Sequence, residues 1–176
     1  MNKVKRNAGE GYTELKCTPY NLSLKTAYIC SPFNADTFDG RVKNMLLARS
    51  YMAYATEKLD VNARAPHAYL PMVIFEERPE ERQLALEFGQ KLLACCDIVF
   101  VCGNRLSKGM EGELQRAASL NMEIVVFDPN LYIEVKRLMI CNGALNNRVR
   151  LERGHYAMER IELDDAWKEV FNAMHI

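Results

Sequence analysis

The 176-residue sequence has no excess of either charge, since 23 Lys and Arg residues balance 23 Asp and Glu residues. Proteins that bind DNA, RNA or an anionic membrane surface usually carry a basic patch, so the even balance argues against those partners. The sequence also lacks an apolar run close to the roughly 20 residues that a membrane span needs. We therefore expect a small-molecule or protein partner, and neither a nucleic acid polymer nor a membrane.

The sequence also lacks the motifs typical of metal binding and of secretion. The six cysteines include no Cys-x-x-Cys pair and the three histidines lie far apart, so no zinc site is expected. Most cysteines lie in apolar runs such as residues 95–102, which is typical of small buried side chains in a reducing compartment. The basic residues 1–6 are not followed by an apolar stretch, which argues against a secretory signal. These features predict a cytoplasmic protein.

Two common nucleotide-binding loops are absent. No Gly-x-Gly-x-x-Gly follows the first predicted strand, and no Gly-x-x-x-x-Gly-Lys-Ser/Thr occurs. Redox chemistry on a dinucleotide and phosphoryl transfer on a P-loop are therefore not expected. The sequence predicts no cofactor.

Short apolar strands alternate with amphipathic helices through the middle of the chain. The predicted strands cover residues 27–30, 60–65, 98–102 and 123–127, and the predicted helices cover 37–59, a segment from 79, 108–120 and 131–139. This order, with connections long enough for crossovers, predicts a parallel sheet with helices on both faces. The expected fold is a single Rossmann- or flavodoxin-like doubly wound α/β domain.

The ends of the chain are harder to assign. Residues 1–25 show no clean period and are interpreted as an arm or extension before a core over residues 26–128. Residues 129–176 are expected to complete the same domain with a loop, over 141–154, and a C-terminal helix. The inward stripe of that helix would be Leu163, Trp167, Val170, Phe171 and Met174. The helix that begins at Pro79 is predicted to continue one face through Leu84, Phe88, Leu92 and Cys95.

Candidate functional residues lie where ligands bind in open α/β sheets, beyond the carboxyl ends of the strands. The segments expected at this edge are residues 31–34, 66–69, 103–113 and 128–130. Asp97 precedes its strand, so we interpret it as a structural residue at the opposite edge.

The segment 107–113 is the most informative of these, because it leads from a loop into a helix after a buried strand. Backbone N–H groups at such a helix start suit an anion, and Gly109 allows close approach to the backbone. Glu113, one turn in, can face the crevice. The alternative is that Glu111 and Glu113 only complement the helix dipole.

Four motifs together resemble the nucleoside 2-deoxyribosyltransferase-like superfamily, over roughly residues 26–128. They are Tyr28-Ile29-Cys30-Ser31-Pro32-Phe33, Ala65-Pro66-His67, Pro79-Glu80-Glu81-Arg82 and Ser107-x-Gly109-Met110-x-x-Glu113-Leu114-x-x-Ala117. The sequence is most similar to a bacterial and phage branch without an assigned function. It is also similar to the 2′-deoxynucleoside 5′-monophosphate N-hydrolases, whose pattern has serine at the position of Ser107.

The resemblance implies roles for individual residues. It places Glu113 as the group that attacks the anomeric carbon, with Tyr28 beside it and Ser107 on the sugar or phosphate. The other expected substrate-binding residues are Ser31, Pro32, Phe33, Asn34, His67, Asn104, Gly109 and Met110. One departure is that relatives carry a further acidic residue in the helix before the central strand. Here that helix offers Glu87 and Gln90, and neither aligns clearly.

Some of these residues also have plainer interpretations. His67 is either a ligand-contacting or acid group, or a structural histidine. Asn34 and Asp128 can equally end a strand or cap a turn. Tyr69 could stack on a base, although an aromatic residue in an apolar stretch is more often part of the core.

The sequence thus predicts cleavage or transfer of an N-glycosidic bond in a (deoxy)nucleoside or nucleoside monophosphate. Breaking this bond builds positive charge on the sugar, which a carboxylate stabilises or captures covalently without a metal ion. The alternative is a non-catalytic module that senses or sequesters a nucleotide in the same pocket. The resemblance also implies a homo-oligomer.

Overall fold

A computed structural model describes residues 25–74, 78–143 and 148–159. The sheet has five strands in the order β2-β1-β3-β4-β5, and every neighbouring pair is parallel. The strands are β1 (Thr26–Cys30), β2 (Asn62–Arg64), β3 (Ile98–Val101), β4 (Glu123–Val126) and β5 (Val149–Leu151). This order is that of flavodoxin-like folds, so the predicted doubly wound α/β class is confirmed.

The helices begin at residues that favour helix starts. They are α1 (Phe38–Leu59), α2 (Pro79–Ala94), α3 (Lys108–Ser119), α4 (Pro129–Cys141) and α5 (Tyr156–Glu159). Thr37 and Asp128 cap α1 and α4, because their side-chain oxygens accept from Gly40 N at 3.0 Å and Leu131 N at 2.7 Å. Two 3₁₀ turns, Pro66–Ala68 and Leu70–Met72, follow β2.

The two faces of the sheet form two apolar cores. Alternate residues of β1 enter different cores, since side chains of a strand point to opposite faces. Ala27 and Ile29 pack with α1 and with Met158 of α5, whereas Tyr28 and Cys30 pack with α2, α3 and α4. The alternation therefore directs the phenol of Tyr28 toward α3.

The segment 141–154, predicted as a loop, contains β5. The strand has only three residues, and Arg150 stands exposed between Val149 and Leu151. One alternation of this kind is too short to produce a recognisable pattern. Residues 129–143 and 148–159 contain α4, β5 and α5, and β5 pairs with β4 in the same sheet.

The predicted face of α2 was wrong except at Leu92, which is partly buried against the core. Leu84 and Phe88 are 60% and 47% exposed, and Cys95 is exposed, while the fully buried residue of the helix is Leu93. Helical spacing alone could not distinguish the two faces, because leucines lie on both. The predicted stripe from Leu163 to Met174 lies outside the described residues. No helix among the described ranges is long and apolar enough to cross a membrane.

Candidate functional site

A pocket of about 240 Å³ opens at the carboxyl end of β1, between α2 and α3. Here β1 and β3 are neighbours, yet the helices that follow them cover opposite faces of the sheet. Such a switch point leaves a crevice in which ligands of open α/β sheets bind. The lining residues are Ser31, Phe33, Asn34, Pro66, His67, Leu70, Arg82, Ala85, Leu86, Gly89, Gln90, Leu93, Ser107, Gly109, Met110, Gly112 and Glu113.

Glu113 of α3 reaches back to β1 from the pocket wall. Tyr28 Oη donates a hydrogen bond to Glu113 Oε1 at 2.7 Å. The Cys30 thiol, two residues further along the same face of β1, is a second hydrogen-bonding partner of this carboxylate. The strand alternation therefore aims two donors at one carboxyl group and fixes its orientation.

The surroundings of Glu113 shift its titration. Burial raises the pKa of Glu113, while the hydrogen bonds from Tyr28 and Cys30 act in the opposite direction without cancelling it. Burial, and then the nearby negative charge of Glu113, raise the pKa of Tyr28 well above its usual value. The phenol therefore stays protonated and remains a donor when Glu113 is ionised.

A second polar pair lines the same pocket as Glu113. Ser31 is only 5% exposed, and its Oγ lies 2.8 Å from His67 Nε2. Burial lowers the pKa of His67 to about 4, so the imidazole is neutral at pH 7. Arg49 stabilises the 3₁₀ turn that contains His67, since its Nε donates to the carbonyl of Ala68 at 2.9 Å. The ring of Phe33 lies 6.1 Å from that of His67.

The start of α3 forms another part of the wall. Ser107 caps the helix, and its Oγ accepts from Met110 N at 3.4 Å. Gly109 and Gly112 also face the pocket. The turn before α3 contains Gly103 at a φ of 91°, a value that favours glycine. This wall can present backbone N–H groups to an anionic ligand.

The structure brings most of the predicted residues together. Those in the wall are Ser31, Phe33, Asn34, His67, Ser107, Gly109, Met110 and Glu113. Tyr28 lies behind Glu113, to which it is bonded. Two predicted residues are elsewhere: Asn104 is exposed, and Pro32 lies against Gly103, so neither lines the pocket.

Most of the α2 wall was missed from sequence. Arg82, Leu86, Gly89 and Gln90 face the pocket, and their spacing of three and four residues was the available signal. The apolar residues of the opposite face obscured that signal. Glu87 is exposed and accepts a hydrogen bond from Gln83 at 3.0 Å.

Other candidates have structural positions. Asp97 lies at the amino edge of the sheet, where its Oδ2 accepts from Thr26 N at 2.8 Å, as expected for a structural residue. Glu111 does not line the pocket. Tyr69, expected in the core, is 54% exposed, and the guanidinium of Arg49 stacks over its ring at 4.9 Å. Across the described ranges, no three His, Cys, Asp or Glu side chains cluster to hold a metal ion.

Comparison with known proteins gives a family and one distant structural likeness. No curated protein matches the chain. A similar solved structure is the 2-deoxyribosyltransferase of the psychrotolerant bacterium Bacillus psychrosaccharolyticus. It has 19% sequence identity and a TM-score of 0.45, over 59% of this chain and 72% of that chain. The model of a domain family of unknown function, DUF7768, matches residues 25–127, and the chain therefore belongs to that family.

Proposed function

We propose that this protein cleaves or transfers the N-glycosidic bond of a (deoxy)nucleoside or nucleoside monophosphate. The observation that carries the proposal is the 2.7 Å hydrogen bond between Tyr28 Oη and Glu113 Oε1 at the wall of the pocket. An oriented, half-buried carboxylate beside a cavity is the group that glycosyl transfer requires. The motif resemblance around both residues points to the same chemistry.

In the proposed first step a carboxylate oxygen of Glu113 attacks the anomeric carbon. The bond from this carbon to the base nitrogen breaks, and its electron pair leaves with the base, which takes up a proton. Glu113 then holds the sugar as an ester, or stabilises its developing cation electrostatically. Water or a second base completes the reaction, giving hydrolysis or transfer.

The remaining walls suit the rest of such a ligand. Arg82 and the amide-bearing start of α3 border the same cavity as Glu113, and a cation with backbone N–H groups favours a phosphate. Phe33 and Leu86 supply apolar surface for a planar base. Neutral His67, bonded to Ser31, offers a hydrogen-bonding edge without a competing positive charge.

A non-catalytic nucleotide-binding module is the second candidate. Among the described residues that line the pocket, Glu113 is the only carboxylate. The acidic partner that the resemblance implies for the helix before the central strand is missing, because Glu87 lies on the solvent side of α2. A pocket of this composition can bind a nucleotide without cleaving it.

Incubation with the common 2′-deoxynucleosides and their 5′-monophosphates separates the two functions, with free base measured by chromatography. Glycosidic cleavage predicts base release that falls by about 1,000-fold or more in Glu113→Gln, since the nucleophile is removed. The matched control is Glu111→Gln, a change on the same helix outside the pocket, which should retain release. Absence of release from every substrate, together with a ligand-induced rise in melting temperature, would favour the binding module.

A further inference from the structure

Gly89 occupies an unusual position for a glycine. It lies in the interior of α2, where glycine destabilises a helix relative to alanine. Its φ is not among the positive values that favour glycine, which in the described residues include Gly103, Gly143 and Gly154. The backbone conformation therefore does not require a glycine here.

Packing does not require a glycine at this position either. A Cβ atom at Gly89 would lie 3.6 Å from Tyr28 Oη and 3.7 Å from Pro66 Cγ. Both distances are ordinary van der Waals contacts, so alanine fits the folded protein without displacing a neighbour. A methyl group at Gly89 would therefore fill space that the fold leaves open.

The open space borders the reacting pair of the proposed function. Gly89 lines the pocket, and the Tyr28 hydroxyl that its Cβ would touch is bonded to Glu113. For the anomeric carbon to reach Glu113, the sugar atoms next to that carbon must enter the part of the pocket that Gly89 and Glu113 both line. A side chain at Gly89 would compete with them for the same volume.

We infer that Gly89 is a binding-site residue whose missing side chain keeps a slot for the sugar ring open beside Glu113. The inference rests on the proposed function, because it assigns the slot to the sugar of the same substrate. The slot is bounded by Glu113, by the ring of Pro66 and by the backbone of α2, and the buried Tyr28 hydroxyl lies behind this wall.

Gly89→Ala tests the inference. The methyl group should reduce kcat/KM for base release by about tenfold or more, as expected when one extra carbon is forced into an occupied site. The melting temperature should be unchanged or higher, because alanine favours the helix. The control is Gln83→Ala, which also introduces an alanine into α2 but at an exposed position. This variant should leave kcat/KM unchanged.

The outcomes separate this inference from the proposed function. Base release by the wild type with an unchanged kcat/KM in Gly89→Ala overturns the slot alone. If the wild type binds a 2′-deoxynucleoside 5′-monophosphate without cleaving it, calorimetry on both proteins decides: weaker binding by the variant supports the slot, and equal binding overturns it. A wild type that neither cleaves nor binds any substrate of the panel overturns both.

Discussion

Two carboxylates accept hydrogen bonds from β1, at opposite edges of the sheet. At the amino edge, Asp97 accepts from the backbone N–H of Thr26 at 2.8 Å. At the carboxyl edge, Glu113 accepts from the side chain of Tyr28 at 2.7 Å. The two bonds are similar in length, so hydrogen-bond geometry alone does not distinguish a structural carboxylate from a candidate catalytic one.

The surroundings of the two groups make the difference. Asp97 ties the start of β3 to the start of β1 at an exposed site. Glu113 lines a pocket, and burial raises its pKa. Because its pKa is higher in the folded than in the unfolded state, Glu113 contributes stability at low pH that is lost as the pH rises through the folded pKa. Ionisation of Glu113 in the folded protein therefore lowers stability, as expected of a carboxylate held in a buried position.

Among the changes that leave the Glu113 carboxylate in place, removal of the Tyr28 hydroxyl should have the largest effect. Tyr28→Phe deletes a hydrogen bond to a charged group, which is worth roughly 10- to 100-fold in kcat/KM. Since this bond lowers the pKa of Glu113, its loss raises that pKa further. The acid limb of the pH–rate profile should then move to higher pH. Tyr54→Phe, which removes a hydroxyl bonded to His155, should change neither quantity.

Removal of the Asp97 carboxylate and removal of the Glu113 carboxylate should affect the stability of the fold differently. Asp97→Ala removes an exposed charged hydrogen bond and should lower the free energy of unfolding by about 1 kcal/mol. Glu113→Gln removes a buried ionisable group and should leave the melting temperature at pH 7 equal to or above that of the wild type. Thermal unfolding of both variants measures this, and a large destabilisation in Glu113→Gln would show that its carboxylate is structural.

A smaller effect is expected from His67. The pKa of this histidine is about 4 in the folded protein against an ordinary value of 6.5. The unfolded chain therefore binds the proton more readily, and stability is lost as the pH falls from about 6.5 toward 4. In His67→Gln the melting temperature should vary less with pH over this range than it does in the wild type. Ser31→Ala should retain the pH dependence of the melting temperature, because burial rather than the serine lowers the pKa of His67. If both variants lose this dependence, the hydrogen bond between Ser31 and His67 causes it.

Much of the fold could be predicted because each element carries its own local signal. Proline and acidic residues mark the start of α2, and a continuous apolar run marks β3, as expected for a strand covered on both faces. The site at the carboxyl edge followed from topology, since parallel strands end at one edge. Local signals were therefore sufficient for the α/β class, whereas topology placed the segment 107–113 at the carboxyl edge and the motif resemblance favoured Glu113 over Glu111.

The pocket face of α2 could not be predicted in the same way. Leu84 and Leu86 lie on different faces and are both more than half exposed, so hydrophobicity did not indicate which face turns inward. That choice is made by contacts between α2, α3 and the 3₁₀ turn after β2, which are distant in sequence. The proposed role of Gly89 depends on one such approach, since a Cβ atom there would lie 3.6 Å from Tyr28 Oη.

Base release measured side by side for the wild type, Glu113→Gln and Asp97→Ala, at a temperature where all three are folded, tests the central claim most directly. We predict release by the wild type, an equal rate in Asp97→Ala, and a loss of about 1,000-fold or more in Glu113→Gln. Release that survives in Glu113→Gln would contradict the assignment of the carboxyl-edge glutamate as the reacting group.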